Sequence, residues 1–301
     1  DSSGNIYVLD STGRVQKFDS QGGYLSTVIP AGDVGGSAYH IAIQPTTENI
    51  LVSSEATVKV YNPSGVFISA IGTLGLNGAS AGDGDFNHAR GMVFDSSGYL
   101  YVADLFNGRI QKFDLTEIEN PDFGTTYSGG YVSQWAAMTY VEFLAIDSSD
   151  FIYASPPNEA AENGSTIPII KYNNSGISQG TFLDQFGADP GQYYEVGGIE
   201  VTSSGDMYVA DKYFNKLLRY NSSGVYQETL GSSGSGLDQY SNIKSPKINP
   251  IDSSLVIADT NNHRIQILND GSKIHNLIPS ADVINTANSV SLVRSTVNPA
   301  G

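Results

Sequence analysis

Apolar and β-branched residues in this chain come in runs of three to five, interrupted by polar positions and bounded by Gly, Asn, Asp or Ser. No apolar stripe at helical spacing is present. Runs such as Val15-Gln16-Lys17-Phe18 and Val58-Lys59-Val60-Tyr61 alternate as half-buried strands do. The runs also recur. Leu100-Tyr101-Val102-Ala103-Asp104, Met207-Tyr208-Val209-Ala210-Asp211 and Leu255-Val256-Ile257-Ala258-Asp259 are near copies. Looser ones stand at Ile6-Tyr7-Val8-Leu9-Asp10, Ile50-Leu51-Val52-Ser53 and Ile152-Tyr153-Ala154-Ser155, giving six units spaced 44 to 55 residues apart. A repeat near this length indicates a propeller or solenoid.

A second run comes after each of these: Val15 to Asp19, Val58 to Asn62, Ile110 to Asp114, Ile169 to Asn173, Leu217 to Asn221 and Ile265 to Asn269. Asp or Asn ends each one. Gly22, Gly65, Gly176, Gly224 or Gly271 comes next in five units, which is the chemistry of a tight turn with positive φ. Upstream lie short runs suited to a crowded innermost strand: Ile41-Ala42-Ile43, Met92-Val93-Phe94, Leu144-Ala145-Ile146, Ile199-Glu200-Val201 and the stretch around Ile248. A fourth run comes after the turn, as in Val66-Phe67-Ile68, Phe182-Leu183 and Ile274 to Ile278. Four short strands in each of six units predict an all-β, six-bladed β-propeller of four-stranded antiparallel blades, one domain over residues 1–301. The first unit begins at its second strand, and Val290-Ser291-Leu292-Val293 belongs to no unit. Strand 290–293 is therefore expected to complete the first blade and close the ring, removing an exposed edge.

Composition narrows the function. The 301 residues include no cysteine, so disulfides, thiolate zinc sites and thiol nucleophiles are excluded. With 31 acidic and 15 basic residues the net charge is −16, which opposes binding to phosphate backbones; nucleic acid is not an expected partner. No apolar run is long enough to cross a membrane, and no secretory signal is visible. The chain starts at Asp1 within a strand-and-turn unit, as a processed chain or excised domain would.

Val102-Ala103-Asp104 with Asn107-Gly108-Arg109-Ile110-Gln111-Lys112-Phe113-Asp114 resembles the NHL repeat, as does Ala258-Asp259-Thr260-Asn261-Asn262-His263-Arg264-Ile265-Gln266. The resemblance extends over the whole chain, clearest in units three, five and six and degraded in two and four. It implies a β-propeller and no single function. The pairs Asp104 with Arg109, Asp211 with Lys216 and Asp259 with Arg264 obey the repeat, so they are expected to pin turns rather than perform chemistry. Enzymes related to NHL propellers include amidating lyases, which the resemblance associates with a zinc held by histidines. Only His40, His88, His263 and His275 exist here, and only the first two fall near a channel mouth. A lactonase-type calcium site would draw on Glu142, Glu195 and Asn288.

Residues that break the symmetry carry more information. Immediately before the inner strands the chain places His40, Arg90, Glu142 and Lys247, a polar set for one mouth of the central channel. Asp83, Asp85 and Asn87 open with calcium-loop spacing, but His88 and Phe94 stand where the loop needs Gly and Glu. No dinucleotide fingerprint occurs. Asn163, Asn173 and Asn221 begin glycosylation tripeptides in or beside turns. Together with the acidity these suggest an extracellular or cell-surface protein, of archaeal or bacterial type. The expected function is that of a non-enzymatic binding or scaffold module. It would contact a protein or glycan partner through the irregular loops 72–88, 116–130 and 156–168, with no cofactor and no membrane insertion. The alternative is a metal-dependent lyase or lactonase centred on His40, Arg90 and Glu142.

Overall fold

The repeated units fold into separate antiparallel sheets whose strands neighbour one another in chain order. The computed structural model describes residues 1–35, 37–72, 82–117, 130–157 and 168–269, and the backbone of 273–279. Blade one contains β1 (Ile6–Leu9), β2 (Val15–Phe18) and β3 (Tyr24–Ile29), and blade two β4 (His40–Ile43), β5 (Ile50–Ser53), β6 (Val58–Tyr61) and β7 (Phe67–Ile71). Blade three is β8 (Ala89–Phe94), β9 (Leu100–Asp104), β10 (Arg109–Phe113) and β11 (Tyr131–Ala136). Blade four is β12 (Phe143–Ile146), β13 (Ile152–Ser155), β14 (Ile169–Tyr172) and β15 (Ser178–Leu183). Blade five is β16 (Val196–Val201), β17 (Met207–Asp211), β18 (Lys216–Tyr220) and β19 (Tyr226–Leu230). A two-residue parallel pair, β20 (Ser232–Ser233) and β21 (Gln239–Tyr240), leads to blade six: β22 (Ile243–Ile248), β23 (Leu255–Asp259), β24 (Arg264–Asn269) and β25 (Lys273–Pro279). The chain is thus an all-β, six-bladed propeller, five described blades having four strands and one having three. Residues 290–293, expected to complete blade one, lie outside the described residues. No described helix is long and apolar enough to cross a membrane.

Six buried clusters, one for each interface between neighbouring blades, hold the ring together. Blades one and two share Val15, Ile29, Ile50 and Val52; two and three share Leu51, Val60, Leu100 and Val102; three and four share Tyr101, Ala103, Ile152 and Ala154. Blades four and five share Tyr153, Ile169, Val209 and Leu218, and five and six share Tyr208, Leu217, Leu255 and Leu268. Ile6 and Phe18 of blade one meet Ile267 of blade six, and Asn249 Nδ2 donates to the Gly4 carbonyl at 3.1 Å. The last blade therefore packs against the first. Alternate residues of each strand face opposite neighbours, which is why the second strands read as nearly unbroken apolar runs.

Turn chemistry is local. The Asp95 side chain accepts the N–H groups of Ser97 and Tyr99 at 3.0 and 2.9 Å, and Asp147 those of Ser149 and Phe151, both at 3.0 Å. The other oxygen of each carboxylate takes a second task that the sequence pattern did not reveal. It accepts the hydroxyl of Tyr101 or Tyr153 and faces Lys112 or Lys171 on the third strand. Asp1 does the same for Tyr7 and Lys17, so the first residue is built into blade one.

Candidate functional site

Antiparallel registers decide which residues reach one end of the ring. His40 pairs with Ser53, Ala89 with Asp104, Phe143 with Ser155, Val196 with Asp211 and Ile243 with Asp259. Inner-strand starts and second-strand ends therefore share one face, along with the turns attached to them. In blades three and five the inner strand bulges directly after this pair, between Ala89 and Met92 and between Val196 and Gly198, and in blade six one pair later, between Lys244 and Lys247. A bulge adds one residue and re-aims the neighbouring side chains of its strand.

The aspartates at the second-strand ends organise these bulges. Asp104 accepts the Asn87 N–H at 2.7 Å and Arg109 Nε at 2.7 Å; Asp259 accepts the Ser241 N–H at 2.7 Å and Arg264 Nε at 2.6 Å. Asp211 takes the N–H groups of Tyr194, Glu195, Tyr213 and Phe214, with Lys216 Nζ 3.9 Å away. Arg109 and Arg264 also donate to carbonyls of the preceding inter-blade loop, Gly82 and Asp85 in one case, Ser235, Gly236 and Gln239 in the other. Burial pushes Asp104 and Asp211 above the ordinary carboxylate range, and these hydrogen bonds and cations pull them back. The three pairs are latches of the ring, as their symmetry predicts.

At the mouth itself the structure gathers His40, Arg90 and Glu142. Arg90 Nε lies 3.9 Å from Glu142 Oε1, and the guanidinium carbon sits 3.3 Å from the centre of the Tyr39 ring. The imidazole of His40 packs edge-on to Phe143, with centroids 5.6 Å apart. Burial, then the charges of Lys247, Arg90 and Lys244, depress His40 to about 3, so its ring is neutral at neutral pH.

Lys247 is placed differently from expectation. The β22 register puts Lys244, next after Ile243, at the position Arg90 occupies after Ala89, while Lys247 lies opposite Val256 and pairs with Glu200 at 2.7 Å. Sequence reasoning missed Lys244 because it counted back from Ile248, which the register places at the end of β22, opposite Leu255 as Phe94 is opposite Leu100. Lys212 and Glu195, paired at 2.6 Å, complete the described ring of charges. Arg90, Lys244 and Lys247 place positive charge around His40. Among the described residues no three His, Asp or Glu side chains are placed to hold a metal ion.

Around this charged mouth stand half-buried and exposed rings. Tyr39, His88, Phe106 and Tyr140 form a chain with centroids 6.1, 4.7 and 5.9 Å apart. Phe186, Tyr194, Tyr213 and Phe214 form a second, with centroids 5.0, 4.5 and 4.9 Å apart. Phe106 is 45% exposed and Tyr213 57%. Both come just after an aspartate latch, in turns that the repeat alone marks as polar punctuation.

The remaining candidates have local duties. Asp83 accepts from Gln134, the Asp85 carbonyl accepts from Arg109 and Gln111, and the Asn87 side chain meets His88 Nδ1 at 3.3 Å. Asn173 accepts the N–H groups of Ser175 and Ile177, and Asn221 those of Ser223 and Val225. Asn62, which Pro63 excludes from glycosylation, caps its turn identically. Turn chemistry thus accounts for these asparagines. Asn163 lies outside the described residues. Most of the loops 72–88, 116–130 and 156–168 does too, but the strands flanking the first and third end at the charged face, whereas β10 ends at the opposite one. At that opposite mouth a cavity of about 420 Å³ is lined by Asp95, Asp147, Asp150 and neighbouring serines. All three carboxylates there are engaged with backbone N–H or hydroxyl groups.

No family model and no curated protein sequence matches the chain. Among solved structures it is similar to virginiamycin B lyase from Staphylococcus aureus. A catalytically inactive variant with quinupristin aligns at TM-score 0.56 and 11% identity, covering 91% of this chain and 83% of that one. The selenomethionine-substituted enzyme aligns at TM-score 0.56 and 11% identity, covering 93% and 85%. At this identity the likeness concerns the fold.

Proposed function

We propose that the chain is a non-enzymatic binding or scaffold module of a cell-surface or secreted assembly, built on units like the NHL repeat. Its partner, a protein or a glycan, docks on the face that carries the channel mouth. One observation supports this reading above the others: two chains of aromatic rings flank that mouth, half-buried except for Phe106, Tyr194 and Tyr213, which are exposed in turns where a monomeric surface would place polar residues. The strands that flank loops 72–88 and 156–168 end on the same face, and these loops supply specificity. A lyase or lactonase centred on His40, Arg90 and Glu142 is less well supported. The imidazole stays neutral among cations and is too weak a base at its depressed pKa for proton transfer near neutral pH.

Binding of the whole chain to a printed glycan array and to surface proteins of its source cell tests the reading. Phe106→Ala with Tyr213→Ala should weaken the signal at least tenfold at unchanged urea midpoint. Binding indifferent to both substitutions would reject this face. Turnover of quinupristin, with divalent metal added or chelated, should be absent; turnover that His40→Gln abolishes would establish the enzymatic alternative.

A further inference from the structure

The chain has twice as many acids as bases, so a cation left without a partner stands out. Among the described residues Lys244 is the one Lys or Arg with neither an ion pair nor a hydrogen bond. Its ammonium is partly buried, and burial lowers its pKa. Arg90, at the equivalent point of blade three, has only a long ion pair and no hydrogen bond. Its side chain is only 14% exposed, its buried Nε has no hydrogen-bond acceptor, and Glu142 lies at 3.9 Å, beyond hydrogen-bonding distance. Stacking on Tyr39 occupies the guanidinium face and leaves its N–H edge for another group. A buried donor without an acceptor costs about 1–3 kcal/mol, so a site that keeps one is suited to a ligand that supplies the acceptor.

Charge arithmetic selects the ligand. Lys212 with Glu195, and Lys247 with Glu200, neutralise each other. Among the described residues, Arg90 and Lys244 against Glu142 leave one net positive charge beside the neutral ring of His40. A monoanion balances it; a phosphate dianion would leave excess negative charge next to Glu142 and Glu195. The −16 of the whole molecule repels polyanions at a distance, but at about 0.1 M salt screening beyond roughly 10 Å leaves the local field of the mouth in control. Arginine offers a planar fork matched to carboxylate oxygens, and lysine a point charge.

We infer that Arg90 and Lys244, held at the channel mouth at equivalent points of their blades, form a binding site for a single carboxylate, carried by a small free acid or by a uronic acid. The site uses neither Phe106 nor Tyr213, the rings whose substitution tests the partner face, so it stands or falls separately from that reading. Calorimetric titration of the whole chain at low salt with acetate, D-glucuronate, D-glucose and inorganic phosphate tests it. Both carboxylates should bind saturably and more tightly than phosphate, and glucose should not bind. Tighter binding of glucuronate than of acetate assigns the source as a sugar acid, and equal binding assigns a free acid. Arg90→Gln and Lys244→Gln should each weaken binding at least tenfold, while Lys247→Gln should change it less than twofold. In the unsubstituted chain acetate should shift the NMR ring resonances of His40 and leave those of His263 in place, a readout independent of how the variants fold. Absence of saturable carboxylate binding, tighter binding of phosphate, or affinity unchanged in both Gln variants would overturn the site.

Discussion

Blades three, five and six start their inner strands with a bulge, whereas blades two and four run in regular register from His40 and Phe143. The difference comes from one residue at the end of the second strand. Where Asp104, Asp211 or Asp259 stands, a buried carboxylate collects backbone N–H groups from the incoming loop and holds it wide. Ser53 and Ser155 replace it in the other two blades. Ser53 Oγ accepts only the His40 N–H, and Ser155 Oγ donates to the Pro156 carbonyl, so the ladder stays straight. The strict copies of the repeat thus supply the weakly paired Arg90 and the unpaired Lys244, and the degraded copies supply His40 and Glu142. Departure from the repeat and obedience to it both build the mouth.

The most direct test of this contrast removes the latch. Asp104→Ala and Asp259→Ala each strand a largely buried arginine and should cost about 3–5 kcal/mol in urea unfolding, against about 1 kcal/mol or less for Ser155→Ala. Equal losses at Asp259 and Ser155 would show that the latch does not distinguish the blades. Next in size is Gly91→Ala. A Cβ there would sit 2.7 Å from the Glu142 carbonyl and 2.8 Å from the Leu144 nitrogen, so overpacking should cost about 1–3 kcal/mol and separate Arg90 from Glu142.

The regular blades carry a pH dependence of their own. His40 in the folded chain titrates near 3, below its unfolded value near 6.5, so the unfolded state binds the extra proton between these limits. This contribution is fully present above pH 6.5 and is lost as pH falls towards 3, at no more than about 1.4 kcal/mol per pH unit. His40→Gln should flatten the stability profile in that window; an unchanged slope would mean the imidazole is protonated in place. The smallest effect concerns the turns. Asn173→Asp keeps the two backbone acceptor bonds and should move the unfolding midpoint by no more than about 0.5 kcal/mol, whereas Asn173→Ala should lose about 1 kcal/mol. Equal effects would remove the turn-cap account of this asparagine.

The number of blades, the four-strand plan and the turn positions were legible in the chain because each is written locally, in alternation, in the Asn, Asp and Gly that close hairpins, and in repetition of both. Symmetry likewise marked the Asp–Arg pairs as structural. The identity of the mouth was not legible to the same degree. His40, Arg90 and Glu142 were found by counting back from inner strands, but the same count chose Lys247 over Lys244, because it began at Ile248, which only the pairing with Leu255 places at the end of β22 rather than at its start. Asp1 joining Tyr7 and Lys17, and Phe106 and Tyr213 standing out beside their latches, depend equally on partners that are brought together only when the sheets pair. Local pattern sets how many sheets form and where each turns. Tertiary hydrogen bonding selects which charges remain unpaired at the axis, since register between strands is a property of the pair and not of either strand alone.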